Sequence, residues 1–239
     1  MQSDCSEQSL KTFIQKLGFS EFSQELVEVA FTHSSYAKEN NLDYSKCYER
    51  LEFLGDAVLK MAVTDYLYKK YPEAHEGELT KIRAVVVSDE ILYKIAQKLN
   101  IESFIRVSTA EEKCGGQKLE SIQACVMEAL FGALYLSSDK EKLKDFITEQ
   151  LSQFIDDIVQ NKTVYNAKAL LQEFTQGKSK ELPLYTLIDE SGAAHDRTFT
   201  IAVSYDGKQL AQACGKTKKH AQQEAAFIAC KKLGLIKED

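Results

Sequence analysis

From Ser9 to about Asp157, apolar residues recur three and four positions apart, as in "ELVEVAFTH", "AVVVSDEILYKIAQKL", "SIQACVMEALFGALYL" and "KLKDFITEQLSQFIDDIV". That spacing predicts amphipathic helices almost throughout. Pro72 ends one helix, "EGEL" opens the next, and "EEKCGGQKLE" predicts a loop carrying Gly115 and Gly116. After "QNKTVYN" the pattern changes. "AKALLQEFTQGK" predicts a helix closed by Gly177, while "LPLYTLIDESG" and "RTFTIAVSYDGKQLAQACG" alternate like strands, with turns at Ser191-Gly192 and Asp206-Gly207. "KTKKHAQQEAAFIACKKLGL" predicts a closing helix with a basic head. The expected architecture is an all-α domain over residues 1–159, a short polar linker over 160–165 and a small α+β domain of order α-β-β-β-α over 166–237.

One helix in the first domain carries an unusual charge pattern. In "ERLEFLGDAVLK", Glu49, Glu52 and Asp56 fall within an arc of roughly 60° at about 100° per residue, with Leu51, Leu54 and Val58 opposite and Phe53 and Leu59 flanking the acidic stripe. Like charges four apart destabilise a helix by a few tenths of a kcal/mol, and more where the face is partly desolvated. A cation should offset them: Lys60 one turn on, Arg50, or a divalent metal held by oxygen ligands. Further along, Glu128 is the only acid between Ile122 and Leu136, so burial is expected to leave it paired, protonated or ligating. Glu76 opens "EGELTKIR", where an acid also complements the helix dipole.

The charge is unevenly shared. From Lys162 onward there are 12 basic against 9 acidic residues, and before it 18 against 27, which points to two modules with different tasks. The cysteines Cys5, Cys47, Cys114, Cys125, Cys214 and Cys230 have neither C-x-x-C nor zinc-site spacing and read as reduced thiols. "MQSDCSEQSL" has no basic and apolar leader pattern and no run of about 18 apolar residues occurs, so a cytoplasmic protein without a membrane partner is expected.

"AFTHSSY", "YERLEFLGDAVL", "EGELTKIRA" and "SIQACVMEALFGALYL", in that order and separation, resemble the endonuclease domain of bacterial ribonuclease III, and the α-β-β-β-α tail resembles the double-stranded RNA-binding domain that follows it. The resemblance covers nearly the whole chain. It implies a homodimeric endoribonuclease for double-stranded RNA, active in ribosomal and messenger RNA processing. It implies Mg²⁺ as cofactor, with Mn²⁺ able to substitute, activating a water that attacks the phosphodiester in line and leaves 5′-phosphate and 3′-hydroxyl ends. Glu52, Asp56 and Glu128 match the family's metal-binding carboxylates; Glu49 and Glu76 match the outer acids of the catalytic valley.

Two positions depart from the family pattern. Tyr48 stands where asparagine is common, and Cys125 stands where the family usually has aspartate, three residues before Glu128. A thiol is a poor ligand for a hard ion and a thiolate favours softer metals. Three outcomes follow: water takes the place and activity persists at higher Mg²⁺, the chain acts mainly as a double-stranded RNA binder on an impaired nuclease scaffold, or Cys125 recruits a softer metal.

In the tail, Gln172, Glu173 and Gln176 match residues that meet 2′-hydroxyls in the minor groove. His195 matches the loop that enters the next groove, and Lys218 and Lys219 match the basic cluster spanning the phosphates, with Lys216 beside them at the helix start. Ala169 replaces a hydroxyl residue found in some relatives. "GKT" also resembles a phosphate-binding loop, but its glycine spacing is wrong for one.

Overall fold

The computed structural model describes residues 10–160, 162–179, 181–192 and 197–236. The chain divides into two compact units, between Asp156 and Asp157. The first is all helical: α1 over 10–16, α2 (Gln24–Ala30), α3 (Ser34–Glu39), α4 (Glu49–Lys70), α5 (Glu76–Val86), α6 (Asp89–Leu99), α7 (Thr109–Lys113), α8 (Glu120–Ser137) and α9 (Lys140–Gln160). The stretch expected as a loop around Gly115 contains α7 and a short 3₁₀ turn, Gly116–Lys118, with Gly115 left-handed between them. Ser108 starts α7 by accepting the Glu111 N–H, a local cap that helical periodicity does not register.

Helix α8 is the axis of this unit. Its middle turns are largely apolar, and such a segment is buried: Val126, Met127, Leu130, Phe131 and Leu134 are all shielded from solvent. Helices α2, α4 and α6 pack around it. The closest approach is to α4 and depends on two glycines. A Cβ on Gly55 would lie 1.7 Å from the Glu128 carbonyl oxygen, and one on Gly132 would lie 2.2 Å from the Leu51 carbonyl oxygen. The backbones therefore touch only because both positions lack a side chain. This contact fixes which face of α4 turns inward: Leu51, Val58 and Leu59 are buried, while Phe53, which flanks the acidic stripe, is 84% exposed.

The second unit comprises α10 (Lys162–Ser179), β1 (Leu184–Ser191), β2 (Thr198–Tyr205), β3 (Lys208–Gly215) and α11 (Lys218–Lys232). Its strands form an antiparallel sheet in the order β1-β2-β3, pairing Leu184 with Ser204 and Phe199 with Gly215. The β2-β3 turn is left-handed at Asp206 (φ 50°) and Gly207 (φ 69°), as a tight hairpin requires. Ala167 and Leu171 of α10, Val203 and Ala211 of the sheet, and Ala225, Ala226 and Ala229 of α11 form the core. Helix α10 does not stop at Gly177. That glycine has ordinary helical backbone with open space around it, and the helix ends shortly before Pro183 instead. Residues 162–165, read as linker, are its first turn. Among the described residues, no helix is long and apolar enough to cross a membrane.

Candidate active site and nucleic-acid interface

The α4-α8 contact brings Glu52, Asp56 and Glu128 onto one cavity of about 630 Å³, where Glu49 joins them with His33, Ser34, Tyr44, Tyr48 and Phe53. The first link is local. Glu49, Glu52 and Asp56 share a face of α4, and the glycine at 55 lets α8 come close enough to place Glu128 against that face. Burial, followed by the charges of Asp56, Glu52 and Asp89, pushes the Glu128 carboxyl up to about 8, against the opposing pull of Lys60. Glu52 is raised as well, by burial first and then by Glu49, Asp89 and Asp56, while the adjacent Cys125 thiol acts to lower it. The carboxylates are thus held together against their own repulsion.

Part of that repulsion is offset within the protein. Lys60 Nζ lies 2.7 Å from Asp56 Oδ2, the four-apart ion pair anticipated from the sequence. The Tyr44 hydroxyl donates to the Glu49 carboxylate. Among the described residues, no three His, Cys, Asp or Glu side chains close on a common point as a finished metal cage. The donor set is nevertheless all oxygen, which suits a hard divalent cation that retains several waters.

Cys125 lies half-buried beside these acids. Burial and the neighbouring Glu52 push its thiol up to about 12, so it is protonated beside that carboxylate. Tyr48, the other departure from the family pattern, adjoins this same Cys125, and its hydroxyl is raised by burial, then by Cys125 and Glu52. The two unusual residues are therefore neighbours.

Glu76 lies elsewhere. It is exposed at the start of α5, accepts a 3.0 Å hydrogen bond from Thr80, and lines a separate cavity of about 520 Å³ with Thr64, Tyr68, Tyr71 and Arg83. The single chain does not bring it to the other four acids. Conversely, sequence reasoning missed Asp89, whose charge bears on Glu52, Cys125 and Glu128. In "VSDEIL" an acid after serine reads as ordinary helix-start chemistry, so nothing local marked it. His33, Ser34 and Tyr44 were missed too, because their position beside the acids depends on tertiary packing.

In the second unit, Gln172, Glu173 and Gln176 are exposed on α10, and Lys216, Lys218 and Lys219 are exposed at the start of α11. Thr217 caps α11 by accepting the His220 N–H at 3.1 Å. A Cβ on Gly215 would lie 2.6 Å from the Ala221 nitrogen, so this glycine permits β3 to run directly into the helix. Lys168 bonds Gln222 across α10 and α11 at 2.7 Å, and burial and the nearby Lys219 lower its pKa. His195 lies outside the described residues.

A helical domain with a carboxylate-lined cavity, followed by an α-β-β-β-α domain with a basic helix start, defines the class: a nuclease-type domain joined to a double-stranded RNA-binding module. Residues 23–155 match the family model Ribonuclease-III-like, and residues 167–233 match Double-stranded RNA binding motif. "Ribonuclease 3" of Desulforamulus reducens is 42% identical over 212 residues, covering 88% of this chain and 86% of that protein. "Ribonuclease 3" of Treponema denticola is 39% identical over 227 residues, 95% and 92% of the two chains. Among solved structures, a nuclease domain of ribonuclease III from Campylobacter jejuni, described with structural flexibility in a region involved in dimer formation, aligns with TM-score 0.54 and 37% identity. It covers 59% of this chain and 94% of that one. The chain belongs to the ribonuclease III family, a family of metal-dependent nucleases.

Proposed function

We propose that this chain is an endoribonuclease that hydrolyses phosphodiester bonds in double-stranded RNA, leaving 5′-phosphate and 3′-hydroxyl ends. The observation that carries this reading is the gathering of Glu52, Asp56 and Glu128 on one cavity, in a chain that also has the double-stranded RNA-binding motif. Residues 1–159 act as the nuclease domain and 166–237 as the RNA-binding domain. The binding-only alternative is not favoured, since the acids persist together at a substantial electrostatic cost.

Glu52, Asp56 and Glu128 would hold Mg²⁺, or Mn²⁺ in its place. When bound, the cation supplies Lewis acidity that activates a water and offsets charge at the scissile phosphate. Lys60 neutralises part of Asp56 in the metal-free protein. The protonated Cys125 contributes a hydrogen-bond donor rather than a charge, which makes a thiolate ligand for a softer metal the least favoured of the three outcomes. On the RNA-binding side, Gln172, Glu173, Gln176 and His195 meet the minor groove, while Lys216, Lys218 and Lys219 meet phosphates, reading A-form shape.

A homodimer is the working form. Phe53, Met61 and Tyr68 are 84%, 53% and 72% exposed. Together with the exposed Ala57 and Thr64 they occupy one face along the length of α4. Beside Phe53 lies a groove of about 810 Å³ lined by Leu26, Val29, Leu54 and Leu136. An apolar face of this length is what a second copy would cover. Glu76, beside Tyr68, would then serve a composite valley built by two chains. Ribosomal and messenger RNA processing in the cytoplasm is the corresponding cellular role.

The decisive experiment is cleavage of a long RNA duplex by the wild-type protein across Mg²⁺ and Mn²⁺ titrations, with EDTA as control. Metal-dependent shortening to small duplexes is expected. Tight binding without cleavage under either metal would overturn the nuclease reading.

A further inference from the structure

We propose that His33 is a substrate-binding residue of this site, its Nε2–H donating a hydrogen bond to a non-bridging phosphate oxygen of the RNA drawn in beside the carboxylates. The proposal rests on the reading of the cavity as a nuclease site. His33 caps α3: its Nδ1 accepts the Ser35 backbone N–H at 3.1 Å and lies 2.7 Å from Ser35 Oγ. A backbone N–H can only donate, so Nδ1 carries the lone pair and the proton of the neutral ring is on Nε2. Ser35 Oγ in turn accepts the Ser108 N–H at 3.0 Å, which leaves its own O–H to point at Nδ1. Two donors thus fix both the tautomer and the direction of the ring.

His33 also lines the acid cavity. With Nδ1 committed to the start of α3, the Nε2–H edge is the polar group it brings there; no described residue hydrogen-bonds to Nε2. Its position is rigid. The His33 N–H donates to the Arg106 carbonyl at 2.9 Å, the neighbouring Thr32 carbonyl accepts the Tyr48 N–H at 2.9 Å, and the Tyr48 ring packs edge-on against the imidazole at 5.6 Å. Tyr48 immediately precedes Glu49, so the ring is locked to the start of the acidic helix.

The chemistry calls for such a group. Four carboxylates line the cavity, and an incoming phosphodiester is repelled by each of them that is ionised. The Tyr44 hydroxyl is engaged by Glu49, and the Tyr48 hydroxyl is buried beside Cys125. The imidazole N–H is the remaining donor whose direction is set by a rigid ring, and a preorganised donor aimed at phosphate charge is worth more in a confined site than in water.

The cap and the donor can be separated, because an asparagine amide reaches where Nδ1 sits and a glutamine amide reaches where Nε2 sits. His33→Asn keeps an acceptor for the Ser35 N–H and loses the deep donor; His33→Gln does the reverse. For His33→Asn the expected result is a melting temperature close to wild type, with the single-turnover cleavage rate at saturating metal and RNA lowered on the order of tenfold or more. His33→Gln should melt earlier yet recover most of the rate at a temperature where it is folded. A His33→Asn protein that cuts at the wild-type rate would overturn the proposal, as would a folded His33→Gln protein as slow as His33→Asn. Wild-type protein that cuts no duplex would instead bring down the nuclease reading itself.

Discussion

The Cys125 thiol of α8 stands beside the Glu52 carboxylate of α4, whose charge helps to hold it protonated. A neutral group therefore stands where another carboxylate would deepen the negative charge available to a cation. Cys125→Asp should lower the Mg²⁺ concentration for half-maximal cleavage severalfold, since affinity for a hard cation rises with ligand charge. A Mg²⁺ titration of cleavage checks this; an unchanged midpoint would show that the cysteine does not weaken the site.

Glu128 is central to both the charge and the metal. Glu128→Gln should abolish cleavage while gel-shift affinity for an RNA duplex stays nearly intact; equal loss of both would make the residue structural. The same variant tests the pH dependence of stability. In metal-free protein the Glu128 carboxyl is raised from its ordinary 4.5 to about 8. Between those values the folded state retains a proton that the unfolded state releases. This contribution to stability is full below about pH 4.5 and is lost as pH rises through about 8. Urea unfolding in EDTA should show wild type losing stability across that window relative to Glu128→Gln.

Two glycines on neighbouring helices make a paired test of packing. A Cβ at Gly55 meets the α8 backbone, which cannot give way as a side-chain tip can, so Gly55→Ala should cost about 3 kcal/mol despite better helix propensity. Gly77 of α5 has nothing within 4 Å of an added Cβ. There Gly77→Ala should be neutral or stabilising by up to about 1 kcal/mol. Denaturant midpoints at equal slope distinguish the two cases.

Phe53 is the most exposed large apolar side chain on α4. Phe53→Asp should leave the fold intact, because the ring contributes little to the core, and should convert a dimer to monomers in sedimentation. Cleavage should fall with it. A variant that remains a dimer would place the interface elsewhere.

At the RNA-binding module, Lys218→Ala with Lys219→Ala should weaken duplex binding without changing which sequences are preferred. The slope of log affinity against log salt should shrink by roughly one for each phosphate contact removed. Unchanged salt dependence would take these lysines off the phosphate path.

Most elements and much of the chemistry are written in local residue patterns. Apolar spacing marked the long helices of the first unit but not α7, alternation and the Asp206-Gly207 pair marked the sheet of the second, and the one-face grouping of Glu49, Glu52 and Asp56 marked α4 as the acidic helix. These are local properties, fixed by a helical or strand period and by backbone preferences over a few residues. Long-range packing brings Glu128 to Glu52 and Asp56, since that contact depends on Gly55 and Gly132 letting two distant segments touch. It also decided that Phe53 faces outward, that Asp89 and His33 stand beside the acids, and that Glu76 does not join them within one chain. Hydrophobic periodicity states how much of a helix is buried. Which neighbour buries it is settled by backbone approach and side-chain volume across the interface, and no single segment carries that information.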